Sequence, residues 1–145
     1  MKLVREFLRL IVIFIRHLIY TKLYGMDISS TARISVGARL DKTFAKGIHI
    51  GDDSYVASGA IIFSHDFSRD IHTHTYVGKK CFIGANAIVM PGVLIGDQVI
   101  VGSGAIVTKN VPSNSIVAGN PAVIIKKEIK TKRFGQIIKE NENMV

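Results

Sequence analysis

Residues 77–111 read VGKKCF-IGANAI-VMPGVL-IGDQVI-VGSGAI-VTKNV when broken every sixth position. Each break falls on an aliphatic residue: Val77, Ile83, Val89, Ile95, Val101 and Val107. Four places after each stands a small or compact one: Cys81, Ala87, Val93, Val99, Ala105 and Val111. A period of six fits neither a helix, with 3.6 residues per turn, nor the irregular turns of a hairpin sandwich. It fits a solenoid, in which each hexapeptide supplies one short strand and one corner. Three hexapeptides close a triangular turn, which stacks Val77 on Ile95, Ile83 on Val101 and Val89 on Val107 inside a prism. Glycines such as Gly78, Gly84, Gly96 and Gly102 recur beside the aliphatic positions, as a backbone that must approach the next coil requires. A phosphate-cradling loop would instead place its glycines once, between a strand and a helix.

The same phase continues backwards through Ile62, Val56 and Ile50, then Leu40, Ile34 and Ile28. It breaks twice: a four-residue bulge near Phe44–Gly47, and a nine-residue insertion between Ile62 and Val77. A stacked core has no room for an insertion, so residues 66–75 are expected as an extruded loop. The chain divides accordingly into an N-terminal helix over 1–25, a β-helix of about five coils over 26–125, and a basic C-terminal tail or short helix over 126–145.

With 145 residues, 48% of them hydrophobic, the chain is expected to form one folded domain. Its single cysteine, Cys81, falls on an inward position and forms no internal disulfide, which suits a reducing, cytoplasmic compartment. The formal net charge of +8 gathers at the two ends, in Lys2, Arg5, Arg9, Arg16 and Lys22 and again in Lys126, Lys127, Lys130, Lys132 and Arg133. Neither cluster interleaves aromatics, which argues against nucleic acid.

Residues 2–20 are apolar but interrupted by arginines, and their longest uncharged stretch, Leu10–Ile15, falls far short of the roughly 20 residues needed to cross a bilayer. On a helical wheel Lys2, Arg5, Arg9, Arg16 and Tyr20 share one stripe and apolar residues cover the rest. Tyr20–Tyr24 offers no small-residue cleavage site of the secretory kind. Two roles fit this helix: covering the open end of the solenoid or packing between subunits, and peripheral attachment to the inner face of a membrane.

The run Tyr76–Lys126, with Met90-Pro91-Gly92, Gly102-Ser103-Gly104 and the closing Ala118-Gly119-Asn120-Pro121-Ala122, resembles the hexapeptide-repeat acyltransferases, the left-handed β-helix family of maltose, galactoside, serine and surface-polysaccharide acetyltransferases. The resemblance spans residues 26–127. It implies an all-β left-handed parallel helix, a homotrimer, and acetyl-CoA bound between neighbouring prisms.

Transfer of an acetyl group to a hydroxyl needs a base for the departing proton and donors for the oxyanion. Ser64-His65-Asp66 stands where the family's motif places its catalytic histidine, so the resemblance assigns the base to His65. Asp66 or Asp70, or a backbone carbonyl, is expected to orient it. By the family's pattern an oxyanion donor falls near Gly84 or Ala85. The CoA arm and phosphates fall to Ala85, Ser103, Thr108 and Lys109, with Lys126 toward the 3′-phosphate. Some relatives add an arginine where this chain has Val123, and Lys127 or Lys130 is its available substitute. His72, His74 and Asp70 are expected in the acceptor pocket.

His72-Thr73-His74 also has the form of a zinc-chelating pair, as in the γ-class carbonic anhydrases. That class spreads its ligands over successive coils, whereas these lie in one loop with His65, and no metal is expected. A sugar hydroxyl in surface-polysaccharide synthesis is the expected acceptor. A serine, an amino sugar or an antibiotic, or a non-enzymatic scaffold role, are the alternatives.

Overall fold

The computed structural model describes residues 1–139; residues 140–145, the end of the expected tail or helix, lie outside them. Each hexapeptide becomes two residues of strand and a corner, and the strands stack into three parallel faces. The first face holds Asp27–Ile28, Ile48–Ile50, Thr75–Val77 and Leu94–Ile95, with Val111 bridged to Ile95. The second holds Arg33–Ile34, Tyr55–Val56, Phe82–Ile83, Ile100–Val101 and Ile116–Ala118, and the third Arg39–Leu40, Ile61–Ile62, Ile88–Val89 and Ile106–Val107. The fold is the left-handed parallel β-helix, with four full coils and part of a fifth.

The expected phase holds throughout. Ile28, Ile50, Val77 and Ile95 pair in register, as do Ile34, Val56, Ile83, Val101 and Val117, and Leu40, Ile62, Val89 and Val107. All point into the prism, each at most 6% exposed. The small residues Cys81, Ala87, Val93, Val99 and Ala105 fill the corners and are equally buried. Burying about one Val or Ile side chain contributes roughly 1.5–3 kcal/mol, so these ladders carry most of the stability. Gly84 shows why the residue after the aliphatic must be small: a Cβ there would lie 2.6 Å from the Ser103 amide nitrogen and the Val101 carbonyl oxygen.

Helix α1 spans Lys2–Leu18 and has no buried residue among its seventeen. The cap over the first coil is made after it, by a π-helical turn at Ile19–Leu23 whose Tyr20 is buried, followed by buried Met26.

Of the two forms expected for 126–145, a basic tail or a short helix, the described residues do not take the helix. Val123–Lys126 pairs antiparallel with Ile116–Ala118, because its run of β-branched residues completes the last open edge of the second face. The chain then descends one corner as a strap. Ile129 N–H donates to Asn114 O (3.1 Å), Thr131 N–H to Gln98 Oε1 (2.8 Å), Thr131 hydroxyl to Lys80 O (2.7 Å) and Phe134 N–H to Asp53 O (2.7 Å). These four partners occupy the same corner in four successive coils. Among the described residues a single 3-10 turn, Arg133–Gly135, with Phe134 at φ +62°, stands where a helix was expected. Gly135 is required there: it has φ +68°, and a Cβ would lie 2.5 Å from that of Phe82.

Candidate active site

Both breaks in the repeat fall near one edge of the prism, where the third face turns into the first. The bulge becomes a 3-10 turn at Ala45–Gly47, and the larger insertion a two-stranded hairpin, His65–Asp66 against Ile71–His72. Two buried hydroxyls join them to the core. Ser64 Oγ donates to Phe44 O (2.6 Å), while Thr75 Oγ1 donates to Phe63 O (2.6 Å) and accepts from Gly92 N–H (3.0 Å). The hairpin is therefore fastened at its root on both sides.

His65 stands at that root, its side chain 24% exposed. Its Nδ1 donates to Asp41 Oδ2. The Asp41 carboxylate is buried and also accepts the amides of Ser64 (2.9 Å), His65 (3.0 Å) and Thr43 (2.9 Å). Burial pushes this carboxyl's pKa up, but the donations from Ser64, His65 and Thr43 outweigh it, and Asp41 titrates below the ordinary carboxylate range. An ionised acceptor at Nδ1 fixes the proton on that nitrogen and leaves Nε2 as the basic one. Among the described residues nothing bonds Nε2. His65 and Asp41 line a cleft of about 520 Å³, together with Leu40, Phe63 and, from the N-terminal segment, Arg16 and Tyr20.

The expected helper Asp66 points elsewhere. Its carboxylate takes Ser68 Oγ (2.7 Å) and Arg69 Nε (2.6 Å), bonds that hold its pKa down at about 2. It shapes the hairpin turn and makes no bond to His65. Asp70 sits in that turn with φ +51°, its amide facing Phe67 O at 3.4 Å, and makes no hydrogen bond to His65 among the described residues.

His72 and His74 are divided by Phe44, whose ring stands edge-on to both at 5.5 Å. His72 lies over His65, with ring centroids 6.3 Å apart. His74 joins a different chain of bonds: its Nδ1 meets His49 Nε2 at 2.7 Å, and His49 Nδ1 meets Asp27 Oδ2 at 2.9 Å. Tyr76 stacks on the His49 ring at 4.2 Å. Among the described residues no group of three His, Cys, Asp or Glu side chains is gathered to hold a metal.

The residues expected to bind CoA separate into groups. Ala85 and Ser103 lie at the edge between the second and third faces, one coil apart, with Gly104 N–H bonded to Ala85 O at 2.8 Å. Thr108 and Lys109 lie on the same edge as His65, two coils above it. Lys126 ends the strand that forms the upper edge of the second face. Gly84 is removed as an oxyanion donor, because its N–H is bonded within the stack to Val101 O at 2.9 Å. The Ala85 amide has no partner among the described residues. One prism thus holds the base on one edge and the Ala85 amide on another.

Residues 74–109 match the family model for the bacterial transferase hexapeptide, six repeats. A protein of Escherichia coli K12 provisionally named as a colanic acid biosynthesis acetyltransferase is 36% identical over 57% of this chain and 46% of its own length. Serine acetyltransferase 2 of Arabidopsis thaliana is 32% identical over 73% of this chain and 34% of its own length. The chain thus spans less than half of either relative. In structure it is similar to a maltose O-acetyltransferase of Clostridium difficile 630, with a TM-score of 0.58 and 27% identity over 77% of this chain and 74% of that one.

Proposed function

We propose, on the match of residues 74–109 to the bacterial transferase hexapeptide family, that this chain moves an acetyl group from acetyl-CoA to a sugar hydroxyl, with His65 as general base. One observation carries the assignment of the base: buried Asp41 holds His65 Nδ1 and leaves Nε2 free beside the cleft. The hydroxyl proton passes to Nε2 as the oxygen attacks the thioester carbonyl carbon. The tetrahedral intermediate then collapses, the C–S bond breaks, and Nε2 returns the proton to the departing thiolate. Asp41 stays ionised and balances the imidazolium between the two steps.

A neighbouring copy completes the site in this reading. If the edge bearing His65, Thr108 and Lys109 faces the second-to-third-face edge of the next prism, His65 meets the free Ala85 amide, an oxyanion donor, and Ser103. Such a heterologous contact closes into a ring when repeated at a three-fold axis, so a homotrimer follows. The CoA arm then runs between two chains, with Lys109 and Lys126 available to its phosphates. Within that cleft His72 and Phe44 form the wall against the acceptor.

A sugar acceptor is supported by the likeness to a maltose O-acetyltransferase and a colanic acid biosynthesis acetyltransferase. The serine acetyltransferase likeness favours a serine hydroxyl as the second reading, with the same base and chemistry. Calorimetric titration of CoA and acetyl-CoA into the wild type and His65→Ala tests the core of the proposal. Binding by both proteins, with thioester turnover lost only in the variant, supports it. No binding by the wild type overturns it.

A further inference from the structure

Helix α1 faces the wrong way for a helix that belongs to a water-exposed body. At 100° per residue its polar side chains, Lys2, Arg5, Glu6, Arg9, Arg16 and His17, fall in one arc of about 120°. At the C-terminal end of the helix that arc meets the solenoid, while Lys2, Arg5, Glu6 and Arg9 are exposed. Arg16 donates to Val36 O, to Ala38 O (3.1 Å) and to the Tyr20 hydroxyl (2.5 Å), and Arg16 and His17 are half-buried while Tyr20 is buried. The apolar arc faces away from the body: Leu3 is 87% exposed, Phe7 64%, Leu8 55% and Phe14 61%.

We propose that α1 lies in the headgroup layer of an anionic lipid bilayer, with its apolar arc among the acyl chains and the solenoid on the aqueous side. The orientation matches an in-plane helix, whose polar side must face the water and whatever the helix carries. Charge agrees with it. Residues 1–23 contain five basic side chains, Lys2, Arg5, Arg9, Arg16 and Lys22, against the single acid Glu6. Arg16 is held by the solenoid, while the exposed Lys2, Arg5 and Arg9 are available to phosphate headgroups. Crossing the bilayer is not an option, since no helix among the described residues is long and apolar enough.

The position of the helix gives the contact a purpose. Arg16 and Tyr20 wall the cleft that holds His65, so docking α1 sets the mouth of that cleft beside the bilayer surface. On the acetyltransferase reading, the acceptor is then a sugar carried on a membrane lipid rather than one free in solution.

The full chain should be sedimented with phosphatidylcholine vesicles with and without phosphatidylglycerol, beside the double variants Phe7→Asp/Phe14→Asp and Arg5→Glu/Arg9→Glu. The wild type is expected to bind the anionic vesicles and to bind neutral ones about tenfold less. Each double variant should lose about tenfold or more, with its molar mass in sedimentation velocity and its CoA binding unchanged. Two results overturn the proposal: a wild type that ignores anionic vesicles, or a Phe7→Asp/Phe14→Asp protein that drops to a smaller assembly, which assigns the arc to a second copy. Failure of the acetyltransferase reading registers separately, as absent CoA binding with vesicle binding intact.

Discussion

Replacing Asp41 by Asn tests the base directly, because the two side chains have the same shape and differ in what they accept. Oδ2 of Asp41 accepts from three N–H groups, those of Ser64, His65 and the His65 ring, and Oδ1 accepts from Thr43. Asparagine has one acceptor oxygen and one NH₂. If the NH₂ replaces Oδ2, it opposes two backbone N–H groups and must donate to Nδ1, which shifts the ring proton to Nε2 and removes the base. If the NH₂ replaces Oδ1, it meets the Thr43 amide, and His65 loses its charged partner. Either arrangement leaves at least one buried donor unpaired, at a cost of about 1–3 kcal/mol, or a fall of about 3–10 °C in melting midpoint. The catalytic effect is larger. General-base catalysis is worth about 10²–10⁴-fold, so kcat should fall by that factor. KM for acetyl-CoA should move less than about threefold, since Asp41 is not among the residues proposed to bind the donor. The assay is release of the CoA thiol, read with a chromogenic thiol reagent against a panel of sugars and with water as the default acceptor. A folded Asp41→Asn protein with kcat within about fivefold of the wild type would refute the assignment, since a loss that small lies below the general-base range.

Three further outcomes follow from the same geometry. Ser68 and Arg69 hold the Asp66 carboxyl at about 2, so what it contributes to the hairpin is present above the ordinary carboxylate range and is lost as pH falls through about 2; a carboxyl-carbon NMR titration with its midpoint near 4 would contradict this. Burial pushes the Cys81 thiol up to about 11, so its stabilising term is complete below the unfolded thiol's pKa of about 8.5 and is lost as pH rises through about 11; alkylation of the native protein at pH 8 should be slow and should become rapid in denaturant. Gly84→Ala forces its Cβ to within 2.6 Å of the Ser103 amide nitrogen and the Val101 carbonyl oxygen, and should destabilise the chain by about 1–3 kcal/mol or more in denaturant titration; an unchanged midpoint would mean that the coils are less closely spaced than described.

The stack was legible in the sequence because its period is strict: each aliphatic from Ile28 to Val107 that continues the phase is a buried rung. The two interruptions were legible for the same reason, as departures from six. Asp41 was not, since it lies 24 residues before His65 and has no motif of its own. The register does hold a trace of it, because Leu40 beneath Ile62 sets the next residue, Asp41, beneath Phe63 and close to Ser64 and His65. Asp27 and His49 escaped notice likewise, their bonds to the loop running between coils. Asp66 was favoured by adjacency, yet a residue next to His65 in the hairpin strand points to the other side and finds Arg69. The C-terminal strap was missed because its lysines read as a helix surface, while its structure is set by unpaired groups at Asn114, Gln98, Lys80 and Asp53.

The spacing of the rungs also bears on the order in which the chain assembles. In the upper coils each residue pairs with one 18 positions on, as Val77 does with Ile95 and Ile83 with Val101. Across the bulge the separation is 22, as from Ile28 to Ile50, and across the hairpin it is 27, as from Ile50 to Val77. Loop-closure entropy grows only logarithmically, so the longer connections cost about 0.2 and 0.4 kcal/mol more per closure than the regular ones. Insertions that small in penalty are easily carried, and on closure entropy alone the coils between Val77 and Val107 are the least costly to close. The segment bearing Asp41 and His65 leaves the ribosome before those coils are made. It is then the part made early and ordered late, and its amides should exchange with solvent before those of the upper ladders when the native protein opens.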